Sequence, residues 1–275
     1  MTRFTILGAG GFIGRALVAH LRAEGHEVLP VGRDALADFL AGRFPAGHVI
    51  NCIGLTSDFR TRQLETAEAH VGVVARALAR DGMASFLLLS STRLYARADA
   101  TREDAEVAVR PDVAGDLYAT TKLAGEALCL SDPRSEIRVA RLSNIYGPGM
   151  GTDCFLGQII AEGRATGAVT LRQGLLSCKD YLAIDDATSL LGHIASAGRE
   201  RLYNVASGSN TTHDAIAAVL TRSLGWRVDA IEGALVQRFP RIDISRIRTE
   251  FAMPRRGVLD DLPALAGGQR QEVVC

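Results

Sequence analysis

The 275-residue sequence predicts an α/β fold built on a doubly wound parallel sheet. Three observations predict this class. Short apolar runs alternate with helical patterns over the first 150 residues, the runs are continuously apolar, and a glycine-rich turn joins the first run to the first helix. Continuously apolar strands are typical of parallel sheets whose two faces are both covered by helices.

The predicted elements follow one another in a regular order. Residues 3–7 form the first strand, residues 12–24 the first helix and residues 27–31 the second strand. This order is that of a β-turn-α-β unit. The same rhythm predicts further strands at 48–53, 85–90 and 137–142, and helices at 61–80 and about 116–131.

Beyond Gly147-Pro148-Gly149 the pattern is less regular. We expect helices near 154–163 and 212–224, and short strands around 168–172, 201–205 and 226–231. The sequence thus predicts a sheet domain over residues 1–150 and a smaller α/β substrate lobe over residues 151–275. The lobe is expected to be interleaved with the sheet, without a flexible linker between them.

Composition and charge exclude several classes of function. Apolar residues make up 47% and charged residues 23%, as in an ordinary folded globular protein. Lysine plus arginine equal aspartate plus glutamate at 31 each, so the electrostatic reason to expect nucleic acid or an anionic membrane as partner is missing. No apolar run approaches the ~20 residues of a membrane span. The strand pattern that begins at residue 3 leaves no room for a signal peptide.

The cysteines indicate a reducing compartment. The five of them are scattered without a CxxC pair: Cys52, Cys129, Cys154, Cys178 and Cys275. We therefore expect free thiols, a cytoplasmic location and no metal site.

The glycine-rich turn predicts a site for a phosphate-containing ligand. The segment Gly8-Ala9-Gly10-Gly11-Phe12-Ile13-Gly14 lies where the first strand gives way to the first helix. Glycines there permit a tight turn and close approach of a pyrophosphate, and the helix N-terminus offers unpaired N–H groups. Since this context is the one that a dinucleotide fingerprint requires, we expect a Rossmann domain. The expected cofactor contacts are Gly8, Gly11, Phe12, Ile13 and Gly14.

The end of the second strand bears on the choice of dinucleotide. An NAD-preferring site usually has an acidic residue here, but the sequence reads Val31-Gly32-Arg33-Asp34. An arginine pairs with a 2′-phosphate and stacks on adenine, so Arg33 favours NADP(H). NAD(H) stays open, because a register shift of one or two residues gives the acidic role to Asp34.

A tyrosine and a lysine form the candidate catalytic pair. Tyr118 and Lys122 are four residues apart and so share one face of a predicted helix. A free phenol has a pKa of ~10, and a nearby ammonium lowers it, so the tyrosine is expected to exchange a proton with a substrate oxygen. The preceding strand ends in Ser90-Ser91-Thr92, which places hydroxyl groups at the same edge of the sheet.

These motifs, with three later ones, carry a family resemblance. The further motifs are Arg141-Leu142-Ser143-Asn144-Ile145-Tyr146-Gly147-Pro148-Gly149, Lys179-Asp180-Tyr181-Leu182-Ala183-Ile184-Asp185-Asp186 and Tyr203-Asn204-Val205-Ala206. Together the set resembles the extended short-chain dehydrogenase/reductase superfamily, of the NAD(P)-dependent epimerase/dehydratase type that modifies nucleotide sugars. The resemblance covers about residues 3–250.

The resemblance implies roles for individual residues. It implies that Ser91 is the hydroxyl partner of the substrate oxygen, Tyr118 the acid/base and Lys122 the ribose-binding residue that supplies charge. Those implied to line the nicotinamide ribose are Asn51, Cys52, Ile53 and Gly54. Those implied at the substrate are Thr92, Asn144 and Lys179. Lys179 stands where relatives commonly have arginine, and both a substrate phosphate and solvent remain open as its partner.

The sequence also departs from the family pattern. His70 stands where asparagine is usual, and we interpret it as a hydrogen-bonded structural substitute. The Asp-Glu pair that dehydratases have after the serine is replaced by Thr92-Arg93. The segment from Thr56 to Arg60 is expected to reach the substrate or simply to form a loop, and Cys154 is expected to be a small apolar filler.

Three functions follow. The first is an NADPH-dependent ketoreductase that acts on a nucleotide-activated 4-keto sugar. The second is an NAD-dependent nucleotide-sugar epimerase. The third is a non-catalytic regulator that senses a dinucleotide, against which the presence of both Tyr118 and Lys122 counts. By analogy with the family, a homodimer is also a hypothesis.

Overall fold

The computed structural model of the protein describes residues 1–253 and 256–267. Its strands are, in chain order, β1 (Arg3–Leu7), β2 (Glu27–Val31), β3 (Gly47–Asn51), β4 (Met83–Ser91), β5 (Ile137–Leu142), β6 (Asn144–Tyr146), β7 (Ala168–Leu171), β8 (Cys178–Ala183), β9 (Leu202–Val205), β10 (Asn210–Thr212) and β11 (Arg227–Ala230). Its α-helices are α1 (Phe12–Ala23), α2 (Leu36–Leu40), α3 (Gln63–Ala67), α4 (Val73–Leu78), α5 (Leu117–Ser131), α6 (Phe155–Thr166), α7 (Ile184–Ala197), α8 (His213–Leu224), α9 (Ser245–Arg248) and α10 (Val258–Gly267). A π-helical turn (Glu68–Gly72) joins α3 to α4, and two 3₁₀ helices span Thr92–Arg97 and Ala114–Asp116.

The large sheet has six parallel strands in the order β2-β1-β3-β4-β5-β9. All six were expected as strands, β9 among the short strands of the later part of the chain, and the doubly wound α/β fold is confirmed. Buried side chains cover both faces of the sheet, with Leu17 and Leu191 in one cluster and Phe39 and Val74 in the other. The strand order reverses between β1 and β3, and open α/β sheets bind ligands outside the carboxyl ends of the strands at such a point.

Two small sheets, β10-β8-β6 and β11-β7, belong to the later part of the chain. Helices α6, α8 and α10 pack with them around a third apolar cluster, which includes Ile160, Leu220 and Leu262. The division of the chain at residue 150 stays a prediction, because β9 comes after that point and forms the edge of the large sheet next to β5.

The expected continuous helix over residues 61–80 is wrong in detail. The α3 and α4 segments are separated by the π-helical turn, which contains His70. His70 is drawn inward by two hydrogen bonds, one to the loop after β3 and one to α5. A π turn places an extra residue in the helix without breaking it, and such turns are frequent at functional sites.

Candidate active site

The glycine turn after β1 is shaped by close backbone contacts. Gly8 has a φ of +76°, its N–H donates to the Val31 carbonyl at 3.0 Å, and an added Cβ would lie 3.1 Å from the backbone N of Ile53. A Cβ on Gly14 would overlap the Gly8 carbonyl oxygen, so α1 approaches β1 this closely only with glycine there. Gly10 has open space around it. The turn therefore leaves its backbone exposed at the start of α1.

A cleft of about 980 Å³ runs along the carboxyl ends of β1, β2 and β3. Six of the expected cofactor residues line this cleft: Gly8, Gly11, Arg33, Cys52, Ile53 and Gly54. The Arg33 side chain is exposed and makes no hydrogen bond or ion pair with the described residues. Three carboxylates also line this end of the cleft: Asp34, Glu65 and Glu68.

Asn51 does not fit the expectation that it lines the cleft. Its side chain has no exposed surface, and its Oδ1 accepts the N–H of Ile53 at 3.0 Å. Asn51 instead shapes the turn that presents the next three residues. Gly14 is likewise buried and permits packing of helix on strand rather than facing the cleft.

A smaller cavity of about 220 Å³ continues the cleft inward. It shares Cys52, Ile53 and Gly54 with the cleft, and Phe12 and Ile13 of α1 form another wall. The Ser90 hydroxyl lies buried at this cavity and has no hydrogen-bond partner within the described residues. A buried hydroxyl without a partner is costly, so it suits a polar ligand atom in this cavity. The glycine turn, the cleft and this inner cavity together fit a nicotinamide dinucleotide.

Lys122 lies against the inner cavity. It is buried, and its Nζ donates to the Leu89 carbonyl at 2.9 Å. Burial lowers its pKa to about 8. The ammonium is also near Gly54, where an added Cβ would stand 3.3 Å from Nζ, so the loop after β3 is kept free of side-chain bulk at this point.

The expectation that Lys122 lowers the pKa of Tyr118 is wrong for the protein without a ligand. Burial raises the pKa of Tyr118, and a hydrogen bond with Ser91 and the charge of Arg93 only partly oppose the rise. The Lys122 Nζ is 6.0 Å from the Tyr118 ring centroid and points to the Leu89 carbonyl. The phenol is therefore held protonated at neutral pH.

His70 packs against the ring of Tyr118 and is hydrogen-bonded through both of its ring nitrogens. Its Nε2 accepts the N–H of Leu55 at 3.2 Å, which leaves Nδ1 as the donor to the Thr121 hydroxyl at 2.8 Å. Burial lowers the pKa of His70 to about 3, so the ring is neutral. It meets the Tyr118 ring edge-on at 5.4 Å. The ring joins the loop after β3 to α5 through hydrogen bonds.

The main cavity, of about 360 Å³, lies beyond Tyr118. Ser91 and Tyr118 line both this cavity and the inner one, so they stand between the two. The expected substrate residues Thr92, Asn144 and Lys179 all line the main cavity. Thr92 is bonded to the Leu142 carbonyl and Asn144 to the Asp180 carbonyl, whereas the partly buried Lys179 packs its Nζ 5.2 Å from the Phe155 ring centroid.

Cys154 differs from the expected apolar filler. It caps α6, since its Sγ accepts the N–H of Gly157 at 3.4 Å, and it also lines the main cavity. Cys52, Cys129, Cys154 and Cys178 are free thiols, and Cys275 lies outside the described residues. Among the residues that the structure describes, no group of His, Cys, Asp and Glu is arranged to hold a metal ion.

Several residues at the site were not predicted. Phe59, from the segment left open as substrate contact or loop, is buried with its ring 5.6 Å from that of Tyr118. Thr56 of that segment lines both the inner and the main cavity. Arg93 lies with its Cζ 5.0 Å from the Tyr118 ring centroid, and the only signal for it was its departure from the Asp-Glu pair. The segment from Gln237 to Ile242 closes the main cavity and has no motif.

The comparison with known families decides the assignment. Residues 4–206 match the NAD dependent epimerase/dehydratase family. The chain belongs to this family. It is therefore an enzyme of the extended short-chain dehydrogenase/reductase group, as its motifs suggested.

Curated relatives span nearly the whole chain. It is 26% identical to a dTDP-glucose 4,6-dehydratase of Streptomyces griseus over 96% of this chain and 92% of the relative. It is 28% identical to a dTDP-6-deoxy-L-talose 4-dehydrogenase (NAD(P)(+)) of Kitasatospora kifunensis over 84% and 81%. By name both relatives act on dTDP sugars, and they differ from one another in reaction.

Solved structures show the same fold. RMD from Pseudomonas aeruginosa complexed with NADPH superposes with a TM-score of 0.79 at 24% identity, covering 97% of this chain and 98% of the other. The dTDP-glucose 4,6-dehydratase from Bacillus anthracis in complex with NAD gives 0.80 at 14% identity, covering 97% and 96%. No described helix of the present chain is long and apolar enough to cross a membrane.

Proposed function

We propose that the protein is an NADPH-dependent ketoreductase that acts on a nucleotide-activated 4-keto sugar. The observation that carries the proposal is the position of Ser91 and Tyr118, which border the inner cavity on one side and the main cavity on the other. A carbonyl oxygen bound between them in the main cavity is next to a nicotinamide bound in the inner one.

The chemistry is divided between cofactor and chain. NADPH bound in the cleft supplies the hydride for the carbonyl carbon. Tyr118 donates its phenolic proton to the carbonyl oxygen, which completes the alcohol. Because burial raises the pKa of Tyr118, the phenol carries that proton at neutral pH, as a reduction requires. Ser91, which borders the same two cavities as Tyr118, holds the same oxygen.

The preference for NADPH rests on Arg33. Its guanidinium is exposed at the cleft and engaged by no carboxylate of the described residues, so it is available to a 2′-phosphate. The glycine turn holds the pyrophosphate, and Lys122 lies where the nicotinamide ribose would bind.

An NAD-dependent epimerase is the second candidate. It is favoured by Asp34, whose carboxylate lines the cleft next to Arg33 in the chain and suits ribose hydroxyls better than a phosphate. An epimerase needs the same serine and tyrosine. Arg93, in place of a dehydratase acid, counts against dehydration in either case.

The substrate class is supported by the names of the relatives, which act on dTDP sugars. Lys179, partly buried in the main cavity, supplies a positive charge for a diphosphate.

We also propose a cytoplasmic homodimer. The dimer is supported by an apolar groove between α4 and α5, lined by Ala75, Leu78, Ala124, Ala127 and Leu128 among others, and the compartment by the free thiols.

The deciding experiment combines cofactor content with turnover. The purified protein is analysed for bound dinucleotide and then incubated with NADPH or NADH and a set of 4-keto nucleotide sugars. The proposal expects dinucleotide oxidation matched by formation of a C4 hydroxyl, faster with NADPH. Tightly held NAD, with C4 inversion and no net oxidation of added NADPH, would instead establish the epimerase.

A further inference from the structure

A side chamber adjoins the main cavity next to Tyr118. It has a volume of about 350 Å³ and shares Arg93, Tyr118, Gln237 and Phe239 with the main cavity. Its walls come from the loop after β3, the 3₁₀ helix after β4 and the start of α5. The four shared residues place the chamber beside the part of the main cavity that Tyr118 borders.

Two arginines in this chamber are held on one aromatic ring. The Arg60 Cζ is 4.6 Å and the Arg93 Cζ 5.8 Å from the Phe59 ring centroid, and Phe59 is itself buried against Tyr118. Stacking of a guanidinium on an aromatic face restricts its orientation while leaving its N–H groups available. Both charges are thereby kept beside the acid/base tyrosine.

Neither charge is neutralised by the protein. The side chains of Arg60 and Arg93 make no hydrogen bond or ion pair with any residue in the described ranges. The chamber's one carboxylate, that of Asp116, is already bound to Arg97 and to the N–H of Arg110. Both side chains are exposed, so their N–H groups are open to an anionic ligand.

The carboxylates that line the main cavity do not neutralise the charges of Arg60 and Arg93. Asp180 is buried and accepts hydrogen bonds from Ser207 and Ser209. Asp153 is exposed beside Cys154, at the α6 wall. Lys179 adds a further positive charge, and its pKa is lowered by burial and further by the charge of Arg93.

We propose that the side chamber binds a carboxylate carried by the sugar ring of the substrate, and that Arg93, assisted by Arg60, determines specificity for acidic sugars. This inference rests on the proposed function, because it takes the ring to be the group that Tyr118 contacts.

The geometry favours a carboxylate set directly on the ring. The guanidinium of Arg93 is 5.0 Å from the Tyr118 ring centroid, so an anion within hydrogen-bond distance of it lies close to the oxygen that the tyrosine protonates. A planar carboxylate matches the two parallel N–H groups of a guanidinium. Lys179, on another wall of the main cavity, is left for the diphosphate.

Equilibrium binding is the suitable measurement. The Arg93 charge lowers the pKa of Tyr118, so a change in turnover alone would not separate binding from proton transfer. The probes are the glucuronic acid and glucose forms of uridine and thymidine diphosphate sugars, which differ within each pair only by carboxylate against hydroxymethyl. They are titrated against the protein saturated with the oxidised dinucleotide that it binds.

The wild-type protein is expected to bind the uronic acid of a pair about tenfold or more tightly than the hexose, the factor typical of one charge-assisted contact. Arg93→Gln is expected to remove that difference while leaving hexose binding nearly unchanged, and Arg60→Gln to reduce it. Arg62→Gln is the matched control, since Arg62 is two residues along, exposed and paired with Asp58 outside the chamber. Thermal unfolding of each variant verifies its folding.

Two results would overturn the inference. One is equal affinity of the wild type for acid and hexose. The other is an equal loss for both probes in Arg93→Gln, which would make Arg93 a diphosphate ligand. If none of the four nucleotide sugars binds, the proposed function itself fails and the inference with it. Should Arg93→Gln unfold, Arg60→Gln alone decides, and an unchanged preference in that variant contradicts the proposal.

Discussion

The cofactor cleft and the substrate cavity are built in different ways. The cleft is lined by three short glycine-containing segments that directly follow β1, β2 and β3, and by side chains between Leu64 and Arg76. The main cavity is formed by side chains from segments spread between Thr56 and Ile242. The shape of the cleft depends on where glycine permits close approach of the backbone. The shape of the main cavity depends on which side chains meet there.

This difference explains what each region tolerates. Beneath the glycine turn of the cleft, a methyl group added at Gly14 would overlap the Gly8 carbonyl oxygen. In the main cavity, the Asn144 side chain is bonded to one backbone carbonyl and that of Cys154 to two backbone groups. We therefore expect substitutions in the cleft to affect folding and cofactor together, and most substitutions in the cavity to affect specificity alone.

Tyr118 lies on the boundary between the regions and has the largest expected effect. Tyr118→Phe removes the proton donor and keeps the ring, so turnover should fall by about 10²- to 10⁴-fold, with cofactor affinity nearly unchanged. Steady-state rates with the 4-keto substrate and dinucleotide titration measure the two quantities.

Tyr95→Phe is the matched control. Tyr95 is also buried, but its hydroxyl is bonded to Asn204 and Arg141 within the core. This variant should lose stability and retain turnover per folded molecule. Full activity in Tyr118→Phe would show that another group supplies the proton.

The pH dependence of the free energy of unfolding tests the burial of Lys122 beside the inner cavity. Burial lowers its pKa from 10.5 to about 8, so between these values the unfolded chain binds a proton that the folded protein does not. The free energy of unfolding of the cofactor-free protein should therefore rise with pH across this window, and the cost of the buried charge is complete below it. That cost is roughly 3 kcal/mol.

Lys122→Met should remove this contribution. Denaturant unfolding across the window is expected to show a rise for the wild type that the variant lacks, with the variant the more stable near neutral pH. The same variant should lose turnover, since the charge beside the inner cavity is gone. Identical pH dependence of the two proteins would show that the lysine is not buried as a charge.

The residues that line the cleft were predicted from the sequence more completely than those that line the main cavity, for a physical reason. Gly8, Gly11 and Arg33 are found in the cleft because a turn after a strand fixes their position locally. Asn51 was expected at the nicotinamide ribose from the resemblance alone, which does not reveal that its side chain is buried and bonded to the Ile53 N–H. Phe59 and Arg93 were missed as neighbours of Tyr118, since their contact joins segments that are distant in the chain and carries no periodic signal.

Gly14 tests the claim that the cleft is limited by backbone. Gly14→Ala places a methyl group against the Gly8 carbonyl, and the expected loss is about 1–3 kcal/mol of stability, the usual cost of overpacking, with weaker dinucleotide binding. Gly10→Ala is the control, because no protein atom lies within 4 Å of the added Cβ. Equal stability of the two variants, measured by thermal unfolding, would mean that α1 shifts freely on β1.

Substitutions of Cys154 test whether the main cavity tolerates changes of side chain, and they have the smallest expected effect on stability. Its Sγ caps α6 through the Gly157 N–H at 3.4 Å, so Cys154→Ala should cost about 0.5–1 kcal/mol, at the low end for a lost cap. Cys154→Ser should restore that stability, because a hydroxyl is a better acceptor for the same N–H. Turnover should change little in either variant, since the thiol has no role in the proposed proton transfer. A large loss of turnover in the serine variant with unchanged stability would place the sulfur in contact with substrate, and the main cavity would then be as constrained as the cleft.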